Sequence, residues 1–250
     1  MKYLIRLFIL FSLTAHAHDS DQATCEHGIH LPQGYEFVEF TTDCNHNENL
    51  IPIKHANRYG YANTKGDIVI KPAFEMAYGF DEGLALIKQN GKYGFIDNTG
   101  KIIVKAVYDE AWGFLDGRAN VVINGKYGFI DKTGNMVIKA MYDKTGQWFE
   151  SGLVPAKQGD KWGYINHQGI PIIPFIYNVA DDFSENLAVV AQYNNDTLKF
   201  GYIDTNGNTI LPLAYDRAFG FVGGTAMVIT KDELYHINPK GEKVAPSLTN

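Results

Sequence analysis

The sequence predicts an all-β protein, a tandem repeat of about six three-stranded antiparallel meander units. Three observations predict it. Tyr59-Gly60, Tyr93-Gly94 and Tyr127-Gly128 lie 34 residues apart, and Trp162-Gly163 and Phe200-Gly201 continue the series at steps of 35 and 38. Residues 91–109 read "GKYGFIDNTGKIIVKAVYD" and residues 125–143 read "GKYGFIDKTGNMVIKAMYD", nearly the same words. Short alternating strands are separated by Asn-Gly and Asp-x-x-Gly turn signals throughout.

The chain begins MKYLIRLFILFSLTAHA. A positive start at Lys2 and Arg6, an apolar run from Leu7 to Leu13 and the Ala15-His16-Ala17 cleavage pattern read as a secretory signal peptide, residues 1–17. No lipobox precedes Cys25 and no later segment has the apolar length of a membrane span, so an exported protein, periplasmic or secreted, is expected with no membrane insertion after cleavage. Loss of Lys2 and Arg6 takes the formal charge from −6 to −8. Such an acidic chain repels polyanions, which argues against nucleic-acid binding.

Residues 18–47 fall outside the period. Cys25 and Cys44 are the only cysteines, and in an oxidising compartment they read as one disulfide. A zinc site from "CEH", "CNH" and His30 is the alternative; its spacing is not a usual finger spacing, so no metal or cofactor is expected. "GYEFVEFTT" from Gly34 alternates like a strand and suits a cap on the first repeat.

The array occupies residues 48–250. Its second unit shows the plan: strand A at Leu84–Lys88, a hairpin signal at Asn90-Gly91, strand B at Tyr93–Asp97, an Asp97-Asn98-Thr99-Gly100 turn, and strand C at Ile102–Val104. The second turn recurs at Asn63, Asp97, Asp131, Asn166, Asp204 and Asn238, always with glycine fourth, so these acids serve a type I turn ending in a left-handed glycine, not calcium. The turn before strand A, Glu82-Gly83 in this unit, replaces glycine only by asparagine, a sign of positive φ. Gly60, Gly94, Gly128, Gly163 and Gly201 in strand B imply close approach of another backbone or ring. Ala85, Ala119, Val154, Ala188 and Ala226 form a small column that suggests tight packing between units. An aromatic plus polar pair (Phe74-Glu75 to Tyr215-Asp216) and a phenylalanine column (Phe80, Phe114, Phe149, Phe183, Phe221) follow. Pro72, Pro174, Pro212 and Pro246 are placed at strand C ends. One unit cannot bury its apolar face alone, so the units must stack, as an open β-solenoid or superhelix or as a closed propeller-like ring with "DEAWGF" as a short fourth strand. The short unit favours the open form.

Lys161-Trp162-Gly163-Tyr164-Ile165-Asn166 resembles the WG (KWG) repeat of bacterial exported proteins, and Lys92-Tyr93-Gly94-Phe95-Ile96-Asp97 is the same motif with tyrosine for tryptophan. The resemblance covers about residues 48–245; Tyr, Phe or Leu replaces Trp in several copies, Ala62 replaces Ile in the first, and Tyr235 replaces Gly in the last. It implies a secreted or surface-associated β-repeat scaffold, and brings no catalytic residues with it.

No nucleophile-base arrangement, H-E-x-x-H or phosphate loop is present. Ser151 and Ser184 belong to turns, and acid pairs such as Asp181-Asp182 and Asp81-Glu82 read as solvated loop residues. The functional lead is a set of crossover aromatics, Tyr78, Trp112, Trp148 and Phe219, set just before the phenylalanine column. They suit either a binding strip for glycan or peptide or staples between units. The expected protein is thus a monomeric, non-catalytic scaffold that binds protein or glycan at the cell envelope. An envelope-polymer hydrolase and a structural spacer are the alternatives.

Overall fold

In the computed structural model, residues 29–38 and 50–245 are described, and every element among them is a strand. Residues 1–17, Cys25, Cys44, Pro246 and Ser247 lie outside the described residues, as do the leader, disulfide and metal readings that rest on them. Six antiparallel sheets follow one another along the chain. Sheet 1 holds β1 (Glu36–Phe37), β2 (Leu50–His55), β3 (Arg58–Asn63) and β4 (Ile68–Phe74). Sheet 2 holds β5 (Met76–Asp81), β6 (Leu84–Gln89), β7 (Lys92–Ile96) and β8 (Ile102–Tyr108). Sheet 3 holds β9 (Glu110–Ala111), β10 (Arg118–Ile123), β11 (Lys126–Asp131) and β12 (Met136–Tyr142). Sheet 4 holds β13 (Lys144–Thr145), β14 (Leu153–Gln158), β15 (Lys161–Asn166) and β16 (Pro171–Tyr177). Sheet 5 holds β17 (Val179–Ala180), β18 (Leu187–Asn194), β19 (Thr197–Asp204) and β20 (Thr209–Tyr215). Sheet 6 holds β21 (Arg217–Ala218), β22 (Ala226–Ile229), β23 (Leu234–Ile237) and β24 (Lys243–Val244).

Each sheet has four strands in chain order, not three. The added strand comes from the crossover after strand C, as Glu110 and Ala111 do when they pair with Val122 and Val121. In sheet 1 it comes from the segment ahead of the repeats, where Glu36 and Phe37 pair with Lys54 and Ile53.

Both faces of an internal sheet are buried. In β7, Phe95 packs forward onto sheet 3 and Ile96 packs back onto sheet 1. Five apolar clusters fill the five interfaces between successive sheets. One equivalent aromatic pair recurs at every interface, and that of sheets 3 and 4 adds Tyr142–Phe175. Tyr61–Phe80, Phe95–Phe114, Phe129–Phe149, Tyr164–Phe183 and Tyr202–Phe221 have ring centroids 4.7–5.0 Å apart. Such tilted pairs add to area burial through their edge-to-face quadrupoles. Three of the tyrosines also donate their hydroxyls to backbone carbonyls of the next crossover, Tyr61 to Tyr78, Tyr164 to Asp181 and Tyr202 to Phe219.

The strand B glycines answer to backbone, not to rings. Tyr93 faces Tyr108 while Phe95 faces Val104, so two residues of β7 oppose four of β8. The bulge presses β8 onto Gly94, where a Cβ would lie 2.6 Å from Val104 O and Ala106 N. Gly60 repeats this in sheet 1, with a Cβ placed 2.7 Å from Pro72 N and 2.8 Å from the Lys71 carbonyl carbon. At Gly60, Gly94, Gly128, Gly163 and Gly201 alike, the three nearest atoms belong to the main chain of the bulged strand. The prolines sit inside this bulge, not at strand ends: Pro72, Pro174 and Pro212 are interior to β4, β16 and β20. These are edge strands carrying exposed apolar residues such as Val69, Ile172 and Ile210. Proline there, and Lys105 and Lys139 in β8 and β12, remove or guard the edge against pairing with another chain. In sheet 6 the described part of β24 pairs Val244 with His236 and Lys243 with Ile237, and the residues that would follow opposite Tyr235 lie outside the described residues.

The turns have the predicted geometry. All six fourth-position glycines have positive φ, between 75 and 88°. Asp97 Oδ1 accepts from the N–H groups of Thr99 and Lys101 at 2.9 and 3.0 Å, and these bonds, led by that from the Thr99 hydroxyl, hold its carboxyl below the usual range. In the turn before strand A even the first residue is left-handed: Glu82, Asp116, Ser151 and Glu185 have φ of 51–52°. Glu82 and Glu185 also accept from the N–H of Gly117 and Gly224 in the following unit, at 3.0 Å at the nearer oxygen. That column was legible as backbone conformation alone; its reach into the next repeat depends on stacking.

One residue separates the last strand of each sheet from the first of the next: Glu75, Asp109, Asp143, Asn178 or Asp216. Its side chain ties neighbouring units. Asp109 Oδ2 accepts from Asn124 N–H at 2.6 Å in the next hairpin while Lys92 of its own sheet binds Oδ1. Lys126–Asp143 (2.5 Å) and Lys199–Asp216 (2.6 Å) repeat the ion pair. This accounts for the lysine of the K-(W/Y)-G motif. The polar tip at Tyr193–Asp196 lengthens a hairpin: β18 and β19 run eight residues each and turn through Asn195 and Asp196 at φ 46 and 63°.

Candidate ligand-binding face

The crossover residues are held by β pairing with strand A. Trp112, Gly146, Asp181 and Phe219 donate their N–H groups to Asn120, Pro155, Val189 and Met227 at 2.9–3.1 Å. The carbonyls of Tyr78, Asp181 and Phe219 accept the tyrosine hydroxyls of the preceding sheet. Tyr78, Trp112, Gly146, Asp181 and Phe219 therefore occupy one structural position. The four predicted aromatics are not one strip. In unit 4 the inserted residue moves Trp148 off the position and puts Gly146 there, and unit 5 has Asp181.

Tyr78 (40% exposed), Trp148 (39%) and Phe219 (42%) are open to solvent, whereas Trp112 is half-buried against Tyr127, with ring centroids 6.1 Å apart. What the fold brings together lies in sheets 1–3. Burial raises the Tyr78 phenol, and the nearby Tyr93 and Tyr59 hydroxyls raise it further. Tyr78, Tyr93 and Trp112 line a groove of about 560 Å³ between sheets 2 and 3. Trp148 and Phe219 are not among its lining residues. Tyr59, Tyr93, Tyr127, Trp162 and Phe200 are only half-buried, so the column that marks the repeat is also surface. The glycines that follow them, Gly60, Gly94, Gly128, Gly163 and Gly201, are buried and belong to the fold, not to the face. The aromatic column's signal in the sequence is the site it occupies, the first residues of strand B beside an open hairpin. The groove is also charged, with Asp81, Lys88 and Glu110 on its walls.

The second half of the crossover face is acidic. Asp181 and Asp182 are open to water yet flanked closely by protein, with Asp182 Oδ1 2.6 Å from where a Cβ on Gly146 would stand. Desolvation in this concavity raises Asp181, and raises Asp182 to about 6, with the Asp181 and Glu150 charges adding to the effect. They are exposed loop residues, as expected, with carboxyls raised by the protein around them. A carboxyl raised in the folded state binds more protons there than in the unfolded chain between pH 4 and 6, so its contribution falls as pH rises through that window. Wild type is expected to lose stability relative to Asp182→Asn between pH 4.5 and 7. Urea midpoints at both pH values measure it; water at the side chain keeps the difference to about 1 kcal/mol.

A buried polar pair marks the interface of sheets 3 and 4. Asn120 Nδ2 donates to Thr145 Oγ1 at 2.8 Å, and Asn120 Oδ1 has no partner. Ser184 donates to Phe221 O at 2.6 Å and Ser151 shapes a turn, so neither is placed as a nucleophile. Among the described residues, no three His, Cys, Asp or Glu side chains are grouped to hold a metal.

A family model described as WG containing repeat matches residues 59–93, 93–127, 127–162, 162–195 and 200–235. The gap after residue 195 falls in the lengthened hairpin. No curated protein matches the sequence. Among solved structures, a eukaryotic initiation factor superposes with a TM-score of 0.52 at 11% identity, over 78% of this chain and 61% of that one. Hsv2p of Kluyveromyces lactis gives 0.43 at 10% identity over 82% and 73%, and a putative TolB from Agrobacterium tumefaciens 0.36 at 12% over 69% and 79%. At such identities the likeness to the initiation factor is one of fold, and this chain spans about three-fifths of its length.

Proposed function

The chain belongs to the family of WG-containing repeat proteins, and from that premise we propose that it is an exported, non-catalytic scaffold that binds an extended ligand, protein or glycan, at the cell envelope. The observation that carries this reading is the aromatic groove of Tyr78, Tyr93 and Trp112. Partly exposed aromatic rings in a concave site are the ordinary means of holding a chain-like ligand. Export rests on the leader at residues 1–17, which also sets the oxidising compartment for a Cys25–Cys44 bridge. The mature protein is a monomer whose array is open. Gly66 supports the open array: it sits on Ile29 and His30, where Gly100 and Gly134 sit on the fourth strand of the preceding sheet. Within the 18–47 segment, residues 29–38 then serve as the cap on the first repeat.

Trp112→Ala is expected to weaken binding of a responsive oligosaccharide or peptide by about tenfold while the melting temperature moves little. Titration calorimetry across panels of both ligand types measures it. Absence of any ligand, or equal affinity of the variant, removes the reading. A hydrolase is the second reading, favoured by the raised Asp182 beside Asp181 and Glu150. Turnover of an envelope polymer that is abolished in Asp182→Asn would establish it instead.

A further inference from the structure

We propose that the groove between sheets 2 and 3 receives lysine or arginine side chains of an extended basic peptide. This deepens the binding reading above and rests on it. The fold already uses lysine on these rings. Lys54 lies 5.8 Å from the Tyr59 ring centre, Lys88 5.0 Å from Tyr93 and Lys243 4.2 Å from Tyr235. Lys54 and Lys88 are the cross-strand neighbours of their tyrosines. In sheet 3 the cross-strand neighbour of Tyr127 is Val122, so strand A places no lysine beside the tyrosine that stacks on Trp112.

Charge around this ring pair suits an incoming cation. Glu110 is exposed at the start of sheet 3, and its charge adds to burial in raising the Tyr127 phenol. Asp81 folds over the crossover, its Oδ2 filling the place where a Cβ on Gly113 would stand. Asp109 lines the same groove but is engaged by Lys92 and Asn124. Three carboxylates, Asp109 among them already engaged by Lys92, and one lysine, Lys88, line the groove. A neutral sugar would gain stacking and hydrogen bonds from its hydroxyls to the carboxylates, with no charge of its own to pair. A basic side chain gains stacking, cation–π attraction and a carboxylate partner. The chain's net charge of −6 steers such a peptide toward it.

Calorimetry of the mature protein with hexa-arginine and with cellohexaose at low ionic strength tests this. Hexa-arginine is expected to bind, about tenfold more weakly after Trp112→Ala and about threefold more weakly after Glu110→Gln. The second variant changes an exposed side chain and leaves the fold intact. Hexa-arginine affinity unchanged in both variants would mean diffuse attraction to an acidic protein, and overturns the proposal. Binding of cellohexaose that Trp112→Ala weakens, without peptide binding, overturns the ligand class and leaves the scaffold reading standing. Failure of both probes overturns the proposal, and the wider ligand panels then decide the scaffold reading separately.

Discussion

Gly128→Ala is expected to destabilise the array by on the order of 3 kcal/mol. A Cβ at Gly128 would lie 2.6 Å from Ile138 O and 2.7 Å from Ala140 N, both backbone atoms of the adjacent strand. Neither can swing aside as a side chain end would. Relief requires β12 to lift from β11, which opens the bulge and disturbs Phe129, Ile138 and Tyr142 in the core with sheet 4. Gly125→Asn is the companion measurement. Gly125 has φ 72° and open space about its Cβ position, and asparagine tolerates left-handed backbone. Its expected cost is below about 1 kcal/mol. Urea denaturation of both variants decides the matter; equal midpoints would show that the close approach of β12 is not what requires glycine.

Tyr164→Ala should cost about 3–5 kcal/mol. Tyr164 is fully buried between sheets 4 and 5, pairs with Phe183 at 4.9 Å, and donates to Asp181 O at 2.7 Å. Burial holds its phenol well above the usual range. Truncation leaves a cavity, removes the ring pair and strands a carbonyl. Tyr164→Phe removes only the hydrogen bond and should cost about 1 kcal/mol. In a stacked array each sheet is supported by its neighbours, so weakening one interface uncouples the halves. The alanine variant is expected to unfold in two steps, with hydrogen exchange faster in residues 153–204 than in residues 84–131. A single cooperative transition with uniform exchange would contradict the nearest-neighbour picture.

Much of this was legible locally. The Asp97 and Asp131 turns are closed by bonds within five residues, and the positive φ of Gly100 and Gly134 follows from that geometry. The phenylalanine and Ala85–Ala226 columns announce burial by residue type, and the structure buries all ten to 9% exposure or less. The Gly60–Gly201 column announced a close approach, but whether backbone or ring fills the space depends on the bulge in the next strand. Trp148 was misplaced because an insertion shifts spacing without declaring which residue keeps the backbone position. The fourth strand was read only as the DEAWGF segment of the ring alternative and not as part of every unit, because Glu110-Ala111 is two residues long and has no pattern of its own.

The sequence by itself determined the repeat, its turns and which columns face inward, because these depend on φ, side-chain alternation and hydrophobicity within one unit. Only the tertiary structure decided which residues meet. The Asp109–Asn124 hydrogen bond, the 4.7–5.0 Å ring pairs and the Tyr78–Trp112 groove join residues of adjacent units. Their geometry is set by how one sheet stacks on the next, a relation that period alone does not contain.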